Sequence, residues 1–191
     1  MEDYTAYAKT QSNFEVLPAG GYIAKIVDVD DRTWVGHGEP AHLIMMDIAE
    51  GEHMAIYQKN NQGADKARWL TYWFAEPNKT SPEWLLSKVG GIQTSLMESN
   101  DGVNLSDPHS WKGKYIGVVV GDEEYESTSG TVYTRPYVNY VCSTGRVRKG
   151  EGQPGGYKIP KLKTLKGAAP RPLASTEMPD SFSAAEDDIP F

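Results

Sequence analysis

Between Gly130 and Val141 the chain reads GTVYTRPYVNYV. Side chains of an extended strand alternate between two faces. Thr131, Tyr133, Arg135, Tyr137, Asn139 and Val141 therefore share one side, and Val132, Thr134, Pro136, Val138 and Tyr140 the other. One side is mainly core-like, while the other sets Tyr-Arg-Tyr-Asn in a row. Rings interleaved with a guanidinium suit a single-stranded nucleic acid: the ring faces stack on bases while the cation holds phosphate. Each stack contributes about 1–3 kcal/mol and tolerates any base, because every base has a π-face. The other reading of the same residues is an ordinary strand, since tyrosine is common in sheets and an arginine can simply solvate an exposed face.

Further candidates for the same chemistry lie elsewhere in the chain. HMAIYQKN (53–60) reads as a strand with Tyr57 and Lys59 opposite Met54 and Ile56. Trp34 follows Arg32 in DDRTWVGHGEP, a loop in which an aromatic is exposed unless it caps the core. TGRVRKG (144–150) ends the last strand with Arg146, Arg148 and Lys149, three charges able to track a phosphate backbone. Trp69, Trp73, Trp84 and Trp111 read as core.

Signals for catalysis are poor. No G-x-x-x-x-G-K-[ST] loop is present. His37, His42, His53 and His109 show no H-E-x-x-H spacing and read as surface or loop residues. DVDD (28–31) and GDEEYE (121–126) could supply the carboxylates of a metal-dependent nuclease, but both fall at expected strand ends where acids face water. Cys142, the single cysteine, lies in a valine-rich stretch and reads as a buried thiol, which excludes an internal disulfide and a cysteine zinc site. The expectation is a non-enzymatic protein with no cofactor and no metal site.

The elements that must position these residues are mostly strands. GYIAKIVDVDD (21–31) follows a PAGG turn; HLIMMDIAEG (42–51) and HMAIYQKN (53–60) read as a hairpin around Glu50-Gly51-Glu52; GKYIGVVVGDEEYE (113–126) and GTVYTRPYVNYV (130–141) read as another, joined by STSG. RWLTYWFAE supplies an additional strand. SPEWLLSKVGGIQTSLMES carries a helical stripe of Trp84, Leu85, Lys88, Val89, Ile92 and Leu96, with Ser81 as N-cap, Pro82 in the first turn, and a bend or break at Gly90-Gly91. Strands, a helix inserted between them, then two strands predict a mainly β, OB-fold-like barrel, with another small barrel or sandwich as the alternative. Composition divides the chain into a flexible N-terminus (1–13), an OB-like nucleic-acid-binding domain (14–150), a Pro/Gly-rich basic linker (151–180) in which YKIPKLKTL could still pack, and an acidic tip (181–191). The linker and tip read as a disordered C-terminal tail.

Charge is segregated along these parts. The total of −7 resolves into −10 over residues 1–126, +8 over 127–176 and −5 over the last fifteen. A basic stretch followed by an acidic tip suits a polyanion at one part and a different partner at the other. No apolar run reaches about 18 residues and the N-terminus has no basic, apolar leader pattern. A cytoplasmic protein of a bacterial cell, without membrane attachment, is expected.

The chain finishes on AAEDDIPF. Asp187, Asp188, Ile189, Pro190 and Phe191 resemble, residue by residue, the acidic tip of bacterial single-stranded DNA-binding proteins. In that family the tip follows a disordered linker and recruits genome-maintenance enzymes. A terminal Phe with its carboxylate can enter an apolar pocket with a basic rim, which a mere solubility tail does not explain. The body lacks that family's usual N-terminal pattern, so none of its barrel residues are carried over. GVVVGDEEYESTSGTVYTRPYVNYVCSTGRVRKG followed by YKIPKLK is instead similar to phage and prophage proteins of replication or recombination modules. The resemblances imply a phage-encoded single-stranded DNA-binding protein that recruits host or phage replication and repair enzymes through its tip; a homo-oligomer is a separate expectation about partners, which the residues themselves do not fix. The alternative is a phage adaptor or inhibitor that captures a host repair enzyme without binding DNA.

Overall fold

The computed structural model describes residues 15–165 except 35–37, 63, 65, 66 and 128. The tip Asp187–Phe191, the rest of the tail from 166 and the N-terminal segment 1–13 lie outside the described residues. Five strands form one antiparallel sheet: β1 (Gly20–Thr33), β2 (Pro40–Ile48), β3 (Leu70–Ala75), β4 (Tyr115–Glu126) and β5 (Val132–Cys142), in the order β3-β2-β1-β4-β5. Among the described residues, α1 (Ile56–Asn60) and α2 (Glu83–Ser99) lie between strands and α3 (Thr144–Lys149) follows the last one. The protein is therefore mainly β with one long helix between the third and fourth strands, an arrangement compatible with an OB-like architecture. The edge strands β3 and β5 curl toward one another without joining in a ladder.

The core fills the concave side of this sheet. Ala24, Ile26, Val29, Ile44, Met46, Phe74, Ile116, Val118 and Val120 meet Leu85, Val89, Ile92 and Leu96 of α2 there, with Trp111. That stripe explains why α2 runs unbroken through Gly90-Gly91. Two glycines cost about 1 kcal/mol each relative to alanine. Burying four large aliphatic side chains returns about 1.5–3 kcal/mol apiece. The helix starts at Glu83 with Pro82 at its N-cap, and the Ser81 hydroxyl accepts instead from Asn78 N.

Two expected strand segments are helical. Residues 53–60 do not form a hairpin with β2, whose partners are β1 and β3, the latter with Ala41 opposite Ala75 and Met46 opposite Leu70. The buried Asp47 carboxylate accepts from the backbone N–H groups of Ile48, Tyr57 and Gln58. These contacts satisfy donors at the start of α1, and a carboxylate there also favours the helix dipole. Residues 144–149, expected to end the last strand, form α3, capped by the Ser143 hydroxyl on Arg146 N.

The body also extends beyond residue 150. Residues 151–165 form a strap over the convex side of the sheet: Lys163 N donates to Asp122 O, and Glu124 N to Lys163 O. Its path has a glycine floor. A Cβ at Gly21 would lie 2.5 Å from the Tyr157 ring, one at Gly121 2.4 Å from Pro160 Cγ, and one at Gly117 2.8 Å from Val147 of α3. Close approach of this kind is what glycine in a strand permits. It buries Ile23 and Val119, which lie beside Gly117 and Gly21 in register. Consequently Ile116–Gly121 of β4 is buried on both faces. Among the described residues no helix is long and apolar enough to cross a membrane.

Candidate nucleic-acid interface

A groove of about 850 Å³ opens where β3 and β5 face each other. Consecutive residues of both strands line it, Leu70–Trp73 on one wall and Thr134–Val141 on the other. The unzipped sheet edges, rather than one sheet face, therefore form its sides. Arg68 and Trp69 extend the β3 wall, α2 adds Trp84 and Lys88, and Glu123, Tyr125 and Lys163 complete the β5 wall.

On β5, Tyr133, Arg135 and Tyr137 lie on one face, opposite Tyr125, Glu123 and Gly121 of β4, with Tyr133 just outside the residues that line the groove. The Tyr125 and Tyr133 rings are 5.7 Å apart and the Arg135 guanidinium is 5.1 Å from the Tyr125 ring centre. Arg135 Nε donates to Glu123 Oε1 at 2.9 Å, and Lys163 Nζ to Oε2 of the same carboxylate at 2.9 Å. The Lys163 ammonium also lies 5.3 Å from the Tyr137 ring centre, and Tyr137 donates its hydroxyl to Asn139 Oδ1 at 3.1 Å. One carboxylate thus positions two cations among three tyrosines and leaves a net positive charge.

A bulge at Asn139 changes the simple alternation. Tyr137 opposes Gly121 while Tyr140 opposes Val119, two residues away on β4, so Tyr140 joins the face of Tyr133 and Tyr137. Val141 opposes Val118 and packs against the core. An extra residue flips every side chain beyond it, which alternation counted along the sequence does not anticipate.

The opposite wall centres on Lys88. Its ammonium lies 3.9 Å from the Trp73 ring centre and 4.6 Å from that of Tyr72. No carboxylate pairs with it among the described residues. Burial disfavours the charged form and brings its pKa down to about 8,. Burial pushes the Tyr72 phenol up to about 12 and raises those of Tyr125 and Tyr137. All three remain neutral rings at physiological pH.

The other candidates divide. Arg146 lies beside the groove, its guanidinium 5.7 Å from the Tyr140 ring centre and its Nε donating to Gly156 O. Arg148 instead pairs with Glu50 at 2.8 Å, and Lys149 is exposed at the end of α3. Trp34 caps the core between Trp73 and Trp84, each 5.8 Å from it, and is not an exposed loop aromatic. Tyr57 lines the floor of the groove but is 8% exposed, too buried to stack on a base; its assignment as a strand residue that presents its ring is corrected by the helix that replaces the expected strand. Lys59 is exposed on α1 but does not line the groove. Trp111 is core and Trp69 and Trp73 pack partly against it, whereas Trp84, expected inside, is 50% exposed.

Sequence reasoning missed Lys88, Lys163, Tyr72, Tyr125 and Tyr140. Tyr125 carried a signal, since a hairpin about STSG sets it near Tyr133. Lys163 carried none, because its position depends on the strap.

The acidic runs do not gather into a carboxylate site. Asp28 pairs with Lys112 and Asp30 with Arg32, while Glu124 accepts from Leu165 N. Burial raises the pKa of Asp122. The Cys142 thiol is buried and its pKa pushed up to about 11, as expected of an unreactive side chain. His42, read from sequence as a surface or loop residue, is buried.

No protein-family model matches the chain, and no curated protein matches it.

Proposed function

We propose that the protein binds single-stranded DNA in the groove between β3 and β5, and that Asp187–Phe191 recruits replication or repair enzymes to the coated strand. The observation that carries this reading is the two-walled groove: tyrosine, arginine and lysine on the β5 wall face tryptophan, tyrosine and lysine on the other. Rings on both walls offer π-faces to successive bases, and Arg135, Lys163, Lys88 and Arg68 line the path of the backbone,. Glu15 and Glu123 are the acidic residues that line it among the described residues, so the acidic body confines a polyanion to this track. Resemblance of the last five residues to the tip of bacterial single-stranded DNA-binding proteins supports the recruiting role.

The test is fluorescence anisotropy of labelled oligo-dT and a matched duplex across a salt series. Preferential single-strand binding is expected, with log K falling by about 0.7 per phosphate neutralised for each decade of salt. Equal or absent binding of both probes, including by a chain lacking the last eight residues, overturns the reading.

A further inference from the structure

Away from the groove, where β1 ends and β2 begins, three potential ligand atoms converge. Asp31 Oδ1 lies 3.1 Å from His42 Nδ1 and 2.9 Å from His109 Nε2. All three atoms are within 4.8 Å of one another. His42 is buried, with 8% of its side chain exposed, and its other nitrogen, Nε2, is 2.9 Å from Glu76 Oε1. A neutral imidazole has one N–H. With its N–H directed at Glu76, His42 would turn the Nδ1 lone pair toward Asp31 Oδ1, where a cation can be held between them.

We propose that Asp31, His42 and His109 form a binding site for a divalent transition-metal cation of the zinc type. Two imidazole nitrogens and one carboxylate oxygen are a zinc donor set, with a fourth position left for water. Zinc bonds of about 2.0–2.2 Å in a tetrahedron set neighbouring ligand atoms about 3.3 Å apart. The two separations from Asp31 Oδ1 need to open by only a few tenths of an ångström, and the exposed Asp31 and His109 side chains can adjust to set the third. Glu76 acts behind the ligands, holding the proton on Nε2 so that Nδ1 faces the metal. His109 is held in turn, its backbone N–H donating to Asp107 Oδ1. The ligands come from β1, β2 and the turn Pro108–Trp111, and the two histidines are 11 and 78 residues from Asp31 in sequence, so no short motif announces them. A bound cation would cross-link the base of the β1–β2 loop to that turn.

The experiment titrates zinc into the metal-stripped full chain by competition with a chromophoric chelator, with cobalt(II) spectra reporting the geometry. One zinc per chain is expected, with a tetrahedral cobalt spectrum and a raised melting temperature. Asp31→Asn and His109→Ala, both at exposed side chains, should remove this binding while circular dichroism stays unchanged. Glu76→Gln should weaken it by about tenfold. Absence of stoichiometric zinc overturns the proposal. Zinc uptake that survives both Asp31→Asn and His109→Ala also overturns it.

Discussion

The Lys163 ammonium lies 2.9 Å from Glu123 Oε2, pinning the C-terminal strap to β4 at the side of the groove. Glu123 also holds Arg135, so the same carboxylate orders a groove cation and attaches the segment that covers the sheet's convex face.

A chain ending at residue 165 should therefore melt like the full protein, and one ending at 150 should not. Loss of the strap uncovers the side of the sheet that carries Ile23 and Val119, and full exposure of such a side chain costs about 1.5–3 kcal/mol. Denaturant unfolding of both truncations checks this. Equal midpoints would mean that the strap adds nothing to stability.

Neutralising the carboxylate releases both cations. Glu123→Gln should tighten binding of oligo-dT at low salt and steepen its salt dependence by roughly one phosphate contact. The gain should shrink as salt rises, since screening weakens exposed charge pairs. An anisotropy salt series on this variant gives the slope directly.

The tyrosine row makes a separable prediction. Tyr137→Ala should weaken single-strand binding by about 1–3 kcal/mol with little change in salt slope, because it removes a stack. Arg135→Ala should reduce that slope by about one. Tyr57→Ala should instead lower stability by about 3 kcal/mol or more, as expected for a buried aromatic, without the signature of a DNA contact. Thermal melts run beside the binding curves distinguish the two effects.

Lys88 should give binding a pH dependence. Its pKa is depressed from 10.5 to about 8. Phosphate favours the ammonium, so affinity should fall as pH rises through about 8. Stability responds in the opposite sense. Between the folded value and the unfolded one the native state has already released a proton that the unfolded chain keeps, so unfolding takes up a proton and raising the pH stabilises the fold. Relative to wild type, Lys88→Met should flatten both trends, and urea titrations with oligo-dT anisotropy at several alkaline pH values measure them.

Much of the fold was legible in order and type. The β4–β5 hairpin, the helix between the third and fourth strands and the extra strand around Tyr72 all follow from local alternation and period. Segment 53–60 was not legible. Its apolar spacing fits a short strand as well as a helix, and the choice rests on Asp47, ten residues upstream of Tyr57. Helix α3 was missed for a related reason: TGRVRK is short and carries little periodicity, and its Ser143 cap weighs as much in a turn as in a helix.

Residue types and alternation by themselves determined that Tyr133, Arg135 and Tyr137 share a face, that Cys142 is an inert buried thiol, and that a mainly β body carries an inserted helix. These depend on neighbours close in sequence, whose geometry a strand or helix period dictates. Tertiary structure alone decided that Tyr140 crosses to the tyrosine face, that Lys88 and Lys163 meet the groove from α2 and the strap, and that Asp31, His42 and His109 converge. Each of those depends on a bulge, a sheet whose edges curl toward each other, a loop turn packed against distant strands or a chain crossing a glycine floor, and such long-range packing leaves no period in the sequence.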